Sequence, residues 1–213
     1  TALEVAEEAD FLGARFSTSA SYDGAAVGLH VPKRQLGPAL DLMADVVLRP
    51  TFADSEITRQ RDLRRTQILQ QRDQPVAMAG LAFPAIVFGV QHPYGRAIGG
   101  TEASTALLSR DRVNQFYQTH YRPGNAKILV VGDITLVEAQ QLITARFGAW
   151  ERGTAAPAAP AATATAPAAR TFYLVDKPGA AQSVIRIGNI GVPRSTADFF
   201  PLQVMNTILG GSF

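Results

Sequence analysis

Cysteine is absent from the 213 residues. This excludes disulfides and thiolate metal sites, and it suits an oxidising envelope as well as a reducing cytosol. Histidine is scarce, with only His30, His92 and His120. No two of them have the i, i+4 spacing of a helical zinc motif, and a zinc site draws on about three converging protein ligands. No Gly-x-Ser-x-Gly elbow occurs, so serine nucleophile chemistry finds no support. The pairs Gly99-Gly100 and Gly210-Gly211 lack the spaced glycines and lysine of a phosphate loop. Neither sign of charge dominates: the net charge is +2, and no basic block points to nucleic acid. No apolar run is long enough to span a bilayer. A start methionine and a signal peptide are also missing, and Thr1 leads straight into a helical pattern. The expectation is an excised piece, from which a targeting segment could have been cut.

What is present suffices for a core, since 46% of the residues are hydrophobic. Residues 2 to 12 read as a helix ended by Gly13. Ala14 to Ala20 and Ala25 to Val31 read as strands joined through Tyr22-Asp23-Gly24, a hairpin signal. Leu36, Leu40, Met43 and Val47 mark a helix with Pro38 in its first turn. A very polar helix follows from Asp54, its expected N-cap, to Gln71, and an apolar one covers roughly Val76 to Phe88 with Pro84 inside it. Ser109 is placed to cap a helix bearing Val113, Phe116, Tyr117 and His120. Lys127 to Val131 reads as a buried strand, and Thr135 with Glu138 as a capping box for the helix ending at Phe147-Gly148. Residues 151 to 170 are nearly all Ala, Pro and Thr, the composition of a semi-rigid linker. Beyond it Thr171 to Val175 and Ser183 to Ile187 read as strands, and Phe199 to Leu209 as a helix.

A series of segments carries more than this pattern. Pro50-Thr51-Phe52 is followed by Glu56-Ile57-Thr58-Arg59-Gln60-Arg61-Asp62, then Gln67 and Asp73-Gln74-Pro75. Next come His92-Pro93-Tyr94-Gly95, His120-Tyr121-Arg122-Pro123, Val130-Val131-Gly132-Asp133 and Phe147-Gly148-Ala149-Trp150. In this order they resemble the insulinase/pitrilysin family of zinc peptidases, which includes the mitochondrial processing peptidase. The resemblance covers nearly the whole chain outside the linker. It implies an α+β fold of two-layer modules, each a mixed, largely antiparallel sheet with helices on one face. Residues 1–150 correspond to a first module without its opening, 151–170 to the linker, and 171–213 to the strand-strand-helix opening of a second module. In the family that opening helix, in the first module, bears His-x-x-Glu-His, an inverted zinc signature.

The resemblance also implies what is altered. Family members carry a glutamate, the third zinc ligand, at the position of Gln67, and usually another at Gln60. Both are amides here, and a neutral amide is a much poorer zinc ligand than a carboxylate. The two lie seven residues apart, on one face of a helix. The residues alone favour an ordinary polar helix face, and only the resemblance favours a degenerate metal site. Glu56 and Asp62 are near but project at other helical angles. Arg59, Arg61, Arg64 and Arg65 read as a solvated face or a partner surface. Active relatives pair extended substrate with an edge strand equivalent to Arg15, Phe16, Ser17, Thr18 and Ser19, so these residues are the substrate-binding candidates, by β-augmentation. A strand paired within the sheet on both sides is the other reading. No catalytic residue and no metal ligand is expected in this chain, and no cofactor, zinc belonging to active relatives.

The function that follows is a non-catalytic homologue of a zinc metallopeptidase, a pseudoenzyme. It would be the subunit of a two-chain peptidase that closes the chamber and helps hold a peptide or protein substrate beside a zinc-bearing homologous subunit. One alternative is an active zinc endopeptidase whose His-x-x-Glu-His lies upstream of Thr1, and another is a purely structural subunit. A bacterial periplasmic or envelope setting follows from the resemblance alone.

Overall fold

The computed structural model describes residues 1–151, 153, 164–165 and 169–211. In chain order the elements are α1 (Ala2–Phe11), β1 (Arg15–Ala20), β2 (Ala25–His30), α2 (Leu36–Leu48), α3 (Asp54–Gln71), α4 (Pro75–Phe88), α5 (Glu102–Ala106), α6 (Arg110–His120), α7 (Leu136–Phe147) and α8 (Phe199–Asn206), with short 3-10 turns between them. The fold is α+β, rich in helix, with one small antiparallel sheet among the described residues. It divides into two units, Thr1–Asp73 with Ala97–Ala161, and Gln74–Arg96 with Ala162–Phe213.

In the first unit α1 starts at a capping box. Thr1 Oγ1 accepts from the Glu4 amide at 3.3 Å, and the Glu4 carboxylate takes the N-terminal ammonium. Gly13, at φ 63°, turns the chain out of the helix into β1. β1 and β2 form a hairpin in register from Arg15↔His30 to Ala20↔Ala25. Ser21 closes its tip: its amide donates to Gly24 O at 2.7 Å, and its Oγ accepts from the amides of Asp23 and Gly24 at 3.2 Å.

Helix α2 lies against α1 and β2. Of α2 it is Ala39, outside the period Leu36, Leu40, Met43 and Val47 read from the sequence, that joins a buried cluster with Ala9, Leu12 and Ala14, and Phe16, Leu29, Val31 and Leu42 pack around it. Small residues at Ala9, Ala14 and Ala39 let helix and hairpin approach closely, while Leu12 supplies most of the apolar bulk. α7 packs on α2 and is tied there by Arg146, whose Nη2 donates to Gly37 O at 3.0 Å and to the Asp41 carboxylate at 3.1 Å. α6 is tied to α2 by the Tyr117 hydroxyl, which donates to Val47 O at 2.7 Å. Burial raises the Tyr117 pKa above its ordinary value.

The second unit contains α4, the turn at Pro93–Gly95 and α8. Phe88, His92 and Tyr94 form an aromatic cluster, with ring centroids 5.2 to 5.6 Å apart. Arg194 lies over the Phe199 ring at 3.4 Å, at the start of α8. Helix α8 passes into a π-helical turn, Thr207–Gly211.

Three sequence expectations are corrected here. Asp54 is the first residue of α3 and not its cap: Ala53 holds that place with no side-chain bond, and Asp54 instead approaches Arg110 at 3.7 Å. At α7, Thr135 Oγ1 accepts from the Glu138 amide at 3.2 Å, and no return bond from the Glu138 side chain accompanies it among the described residues. Lys127–Val131, Thr171–Val175 and Ser183–Ile187 form no ladder among the described residues. An apolar run supplies β propensity but not a partner, and a strand exists only once its backbone groups pair. These segments are instead open to solvent, with Leu129 89%, Phe172 96% and Leu174 96% exposed. The linker expected over 151–170 lies mostly outside the described residues.

Adjacent residues at the end of α1 test the core. Leu12 is 4% exposed and Phe11 82% exposed. Leu12→Ala is expected to lower the unfolding free energy by about 2–4 kcal/mol, and Phe11→Ala to change it by no more than about 0.5 kcal/mol, both read from urea unfolding followed by circular dichroism.

Candidate functional site

The residues of interest lie on α3, whose composition explains its behaviour. It carries Asp54 and Glu56 in its first turn, where the helix dipole favours negative charge. Along its length side chains are nearly all polar, and only Ile68 is buried. Such a helix is held by its charged side chains more than by an apolar stripe.

Glu56 forms an ion pair with Arg59 at 2.7 Å, and that hydrogen bond lowers the Glu56 carboxyl below its ordinary value. The stabilisation this gives is present at neutral pH and is lost as pH falls through the lowered value. Arg61 donates to Leu108 O at 3.4 Å and lies 3.7 Å from the Asp62 carboxylate. Glu56 and Asp62, the two carboxylates nearest the Gln60–Gln67 face in sequence, are thus both beside arginines.

Gln60 and Gln67 are exposed. Gln67 has a definite partner: Arg64 Nη1 donates to its Oε1 at 3.3 Å. The same guanidinium donates through Nε to Gly99 O at 2.9 Å. A Cβ built on Gly99 would fall inside the Arg64 guanidinium, so residue 99 has to be glycine for the arginine to cross it. Further along, Arg72 pairs with Glu102 at 3.0 Å and Arg65 approaches the same carboxylate at 4.0 Å. Glu102 opens α5, which Thr101 and Ser104 start with a reciprocal cap. Arg64 and Glu102 therefore connect α3 to the segment from Gly99 to Ala106.

The donor set near Gln67 does not suit the zinc that the resemblance implies. It consists of a neutral amide oxygen already accepting from a guanidinium. Zinc takes anionic or imidazole ligands, and a fixed positive charge at hydrogen-bond distance opposes a dication. The residues present do not fit the metal. Among the described residues no group of three or more His, Asp or Glu is placed to hold one. His30 ends β2. His92 caps the turn at Pro93, its Nδ1 accepting from the Tyr94 amide at 3.0 Å, and His120 stacks on Phe116 at 4.6 Å.

The substrate-binding candidates all lie on β1. Phe16 packs on the core cluster, while Arg15, Ser17, Thr18 and Ser19 are exposed. β1 pairs with β2 on one side, and among the described residues no strand pairs with its other edge.

A family model described as "Peptidase M16 inactive domain" matches residues 107–213, half of the chain. The chain belongs to the insulinase (M16) family of peptidases. A second M16 model, described as "Insulinase (Peptidase family M16)", matches residues 1–102. Curated relatives include proteins described as uncharacterized zinc proteases. One from Mycobacterium leprae is 28% identical over 99% of this chain and 47% of its own length. Another, YmxG of Bacillus subtilis, is 25% identical over 100% of this chain and 50% of its own. The chain thus spans about half the length of the relatives it matches. Among solved structures, a peptidase M16 inactive domain from Pseudomonas fluorescens superposes with a TM-score of 0.70 at 27% identity, covering 76% of this chain and 39% of that one. The first half of the periplasmic protease PqqL from Escherichia coli superposes with a TM-score of 0.64 at 22% identity, over 77% of this chain and 36% of that one, and shows the fold alone. No helix among the described residues is long and apolar enough to cross a membrane.

Sequence reasoning reached Gln60, Gln67 and β1 through the M16 pattern. It missed the bonding of Arg64 and the role of Glu102. The available signals were the Arg64–Gln67 spacing of three, and the pair Gly99-Gly100 followed by Thr101-Glu102, which marks a close approach and a helix start.

Glu102→Gln leaves Arg65 and Arg72 without their shared carboxylate. It should cost about 1 kcal/mol at low salt, allowing for the solvent exposure of all three groups. The cost should shrink towards zero near 1 M NaCl, as read from paired denaturation curves at the two salt concentrations.

Proposed function

We propose that this chain is a non-catalytic member of the M16 family which holds peptide substrate for, and helps to close the chamber of, a zinc-bearing homologous subunit. The observation that carries this reading is the arginine-bonded amide at Gln67, where active relatives are expected to carry a carboxylate. The match of residues 107–213 to the M16 inactive domain supports it. In this reading residues 1–150 are a first family module, 151–170 a linker and 171–213 the opening of a second module. The chain itself holds no zinc, and the setting is the bacterial periplasm or envelope, as the periplasmic PqqL suggests.

Substrate would add as a strand to the open edge of β1, along Arg15, Phe16, Ser17, Thr18 and Ser19. Backbone hydrogen bonding there gives affinity with little sequence preference, and the short polar side chains of Ser17, Thr18 and Ser19 allow close approach.

The second reading, an active zinc endopeptidase, is favoured by the description of the relatives as zinc proteases. It requires a carboxylate to replace Gln67.

The experiment is incubation of the purified chain with an unstructured, casein-like peptide, with zinc and with chelator. The expected outcome is binding without cleavage in both, and at least tenfold weaker binding of the same peptide with N-methylated backbone amides. Chelator-sensitive cleavage would put the endopeptidase reading first. Equal binding of both peptides would remove the β1 edge as the holding site.

A further inference from the structure

Arg64 stands apart from the other arginines of α3 and from Arg72 at its C-cap. Arg59 pairs with Glu56, Arg61 lies near Asp62, and Arg65 and Arg72 share Glu102. Arg64 is half-buried, and among the described residues its two hydrogen-bond partners are neutral, Gly99 O and Gln67 Oε1. A guanidinium does not lose its proton in a protein, so this charge is permanent. Its planar fork suits two acceptors at once, one from the backbone and one from a side chain. The missing Cβ at Gly99 lets it lie flat against the chain there.

From this we infer that Arg64 is a built-in cation: it joins α3 to the Gly99–Thr101 segment and bars a metal ion from residue 67. Gln67 has one acceptor oxygen, and Arg64 donates to one of its two lone pairs. A dication approaching that oxygen would meet the Arg64 charge, which Gly99 O retains. A carboxylate at position 67 would not free the site either. It would attract Arg64 more strongly, since the neutral bond would become a charge-assisted one. Metal ligation at position 67 is thus opposed by two residues, and reverting Gln67 alone leaves the Arg64 charge in place. The inference concerns α3 and stands whether or not β1 holds peptide.

The test is a double-mutant cycle in the whole chain with Gln67→Glu, Arg64→Met and the pair. Each variant is melted in excess chelator and in micromolar zinc, and its zinc content is measured after dialysis. Gln67→Glu should raise the melting temperature by the same few degrees in chelator and in zinc, and should carry no zinc. Arg64→Met should lower it by roughly 3–6 °C and should abolish the gain from Gln67→Glu. If Arg64→Met does not fold, Arg64→Lys serves. A single ammonium cannot reproduce the two-acceptor fork, so the Gln67→Glu gain should fall to less than half. A Gln67→Glu gain that appears only with zinc, or stoichiometric zinc in that variant with Arg64 intact, would overturn the inference. So would an unchanged melting temperature in Arg64→Met.

Discussion

A half-buried guanidinium that cannot neutralise itself has to be given acceptors, and on α3 that requirement governs the surroundings of Arg64. Its two acceptors come from Gly99 O and Gln67 Oε1. The first lies where a Cβ at position 99 would meet the guanidinium. The second leaves an amide in the place where an anionic ligand would serve a metal. Beside it, Arg65 and Arg72 meet Glu102, so α5 is held to α3 by a second polar joint. A helix with one buried residue, Ile68, thereby keeps α5 as a defined neighbour through polar joints.

Much of the first unit could be read from the sequence because its signals are local. The capping residue Ser109, the helix-ending Gly13, and the apolar period of α2 each act within a few residues, and each produced the expected element. The hairpin followed from two β-prone runs around a turn, although Ser21 rather than the turn's centre supplies most of its closing bonds. The misses share a different physics. Lys127–Val131, Thr171–Val175 and Ser183–Ile187 have strand composition, but pairing depends on a partner that composition does not specify. Arg64 looked like one more solvated arginine because its decisive contact, Gly99 O, is 35 residues away. Gln67 stood out only through the family pattern, and no rule of spacing would have separated it from Gln60.

The chain also presents apolar side chains for which the described residues offer no cover. Leu129 and Val131 in one unit, and Phe172, Leu174 and Ile187 in the other, are almost fully exposed. Apolar surface costs about 25 cal/mol per Å² left in water, and contiguous patches of it mark places of contact. A substrate-holding role places the working surface elsewhere, on β1, where Ser17, Thr18 and Ser19 offer backbone with little side-chain bulk. In the proposed reading, holding peptide and ligating zinc fall on different elements. The hairpin that carries β1 packs on α1 and α2, whereas the altered position lies on α3 and takes its support from the Gly99–Ala106 segment.

The central claim is that residue 67 is closed to metal by its bond to Arg64. The direct measurement is a zinc titration of the isotope-labelled chain, following the Gln67 side-chain amide and the Arg64 Nε–H by NMR. The account predicts a protected Arg64 Nε–H in the free protein and no saturable shift of either signal as zinc is added. A saturable zinc-dependent shift of the Gln67 amide, with loss of Arg64 Nε–H protection, would contradict it.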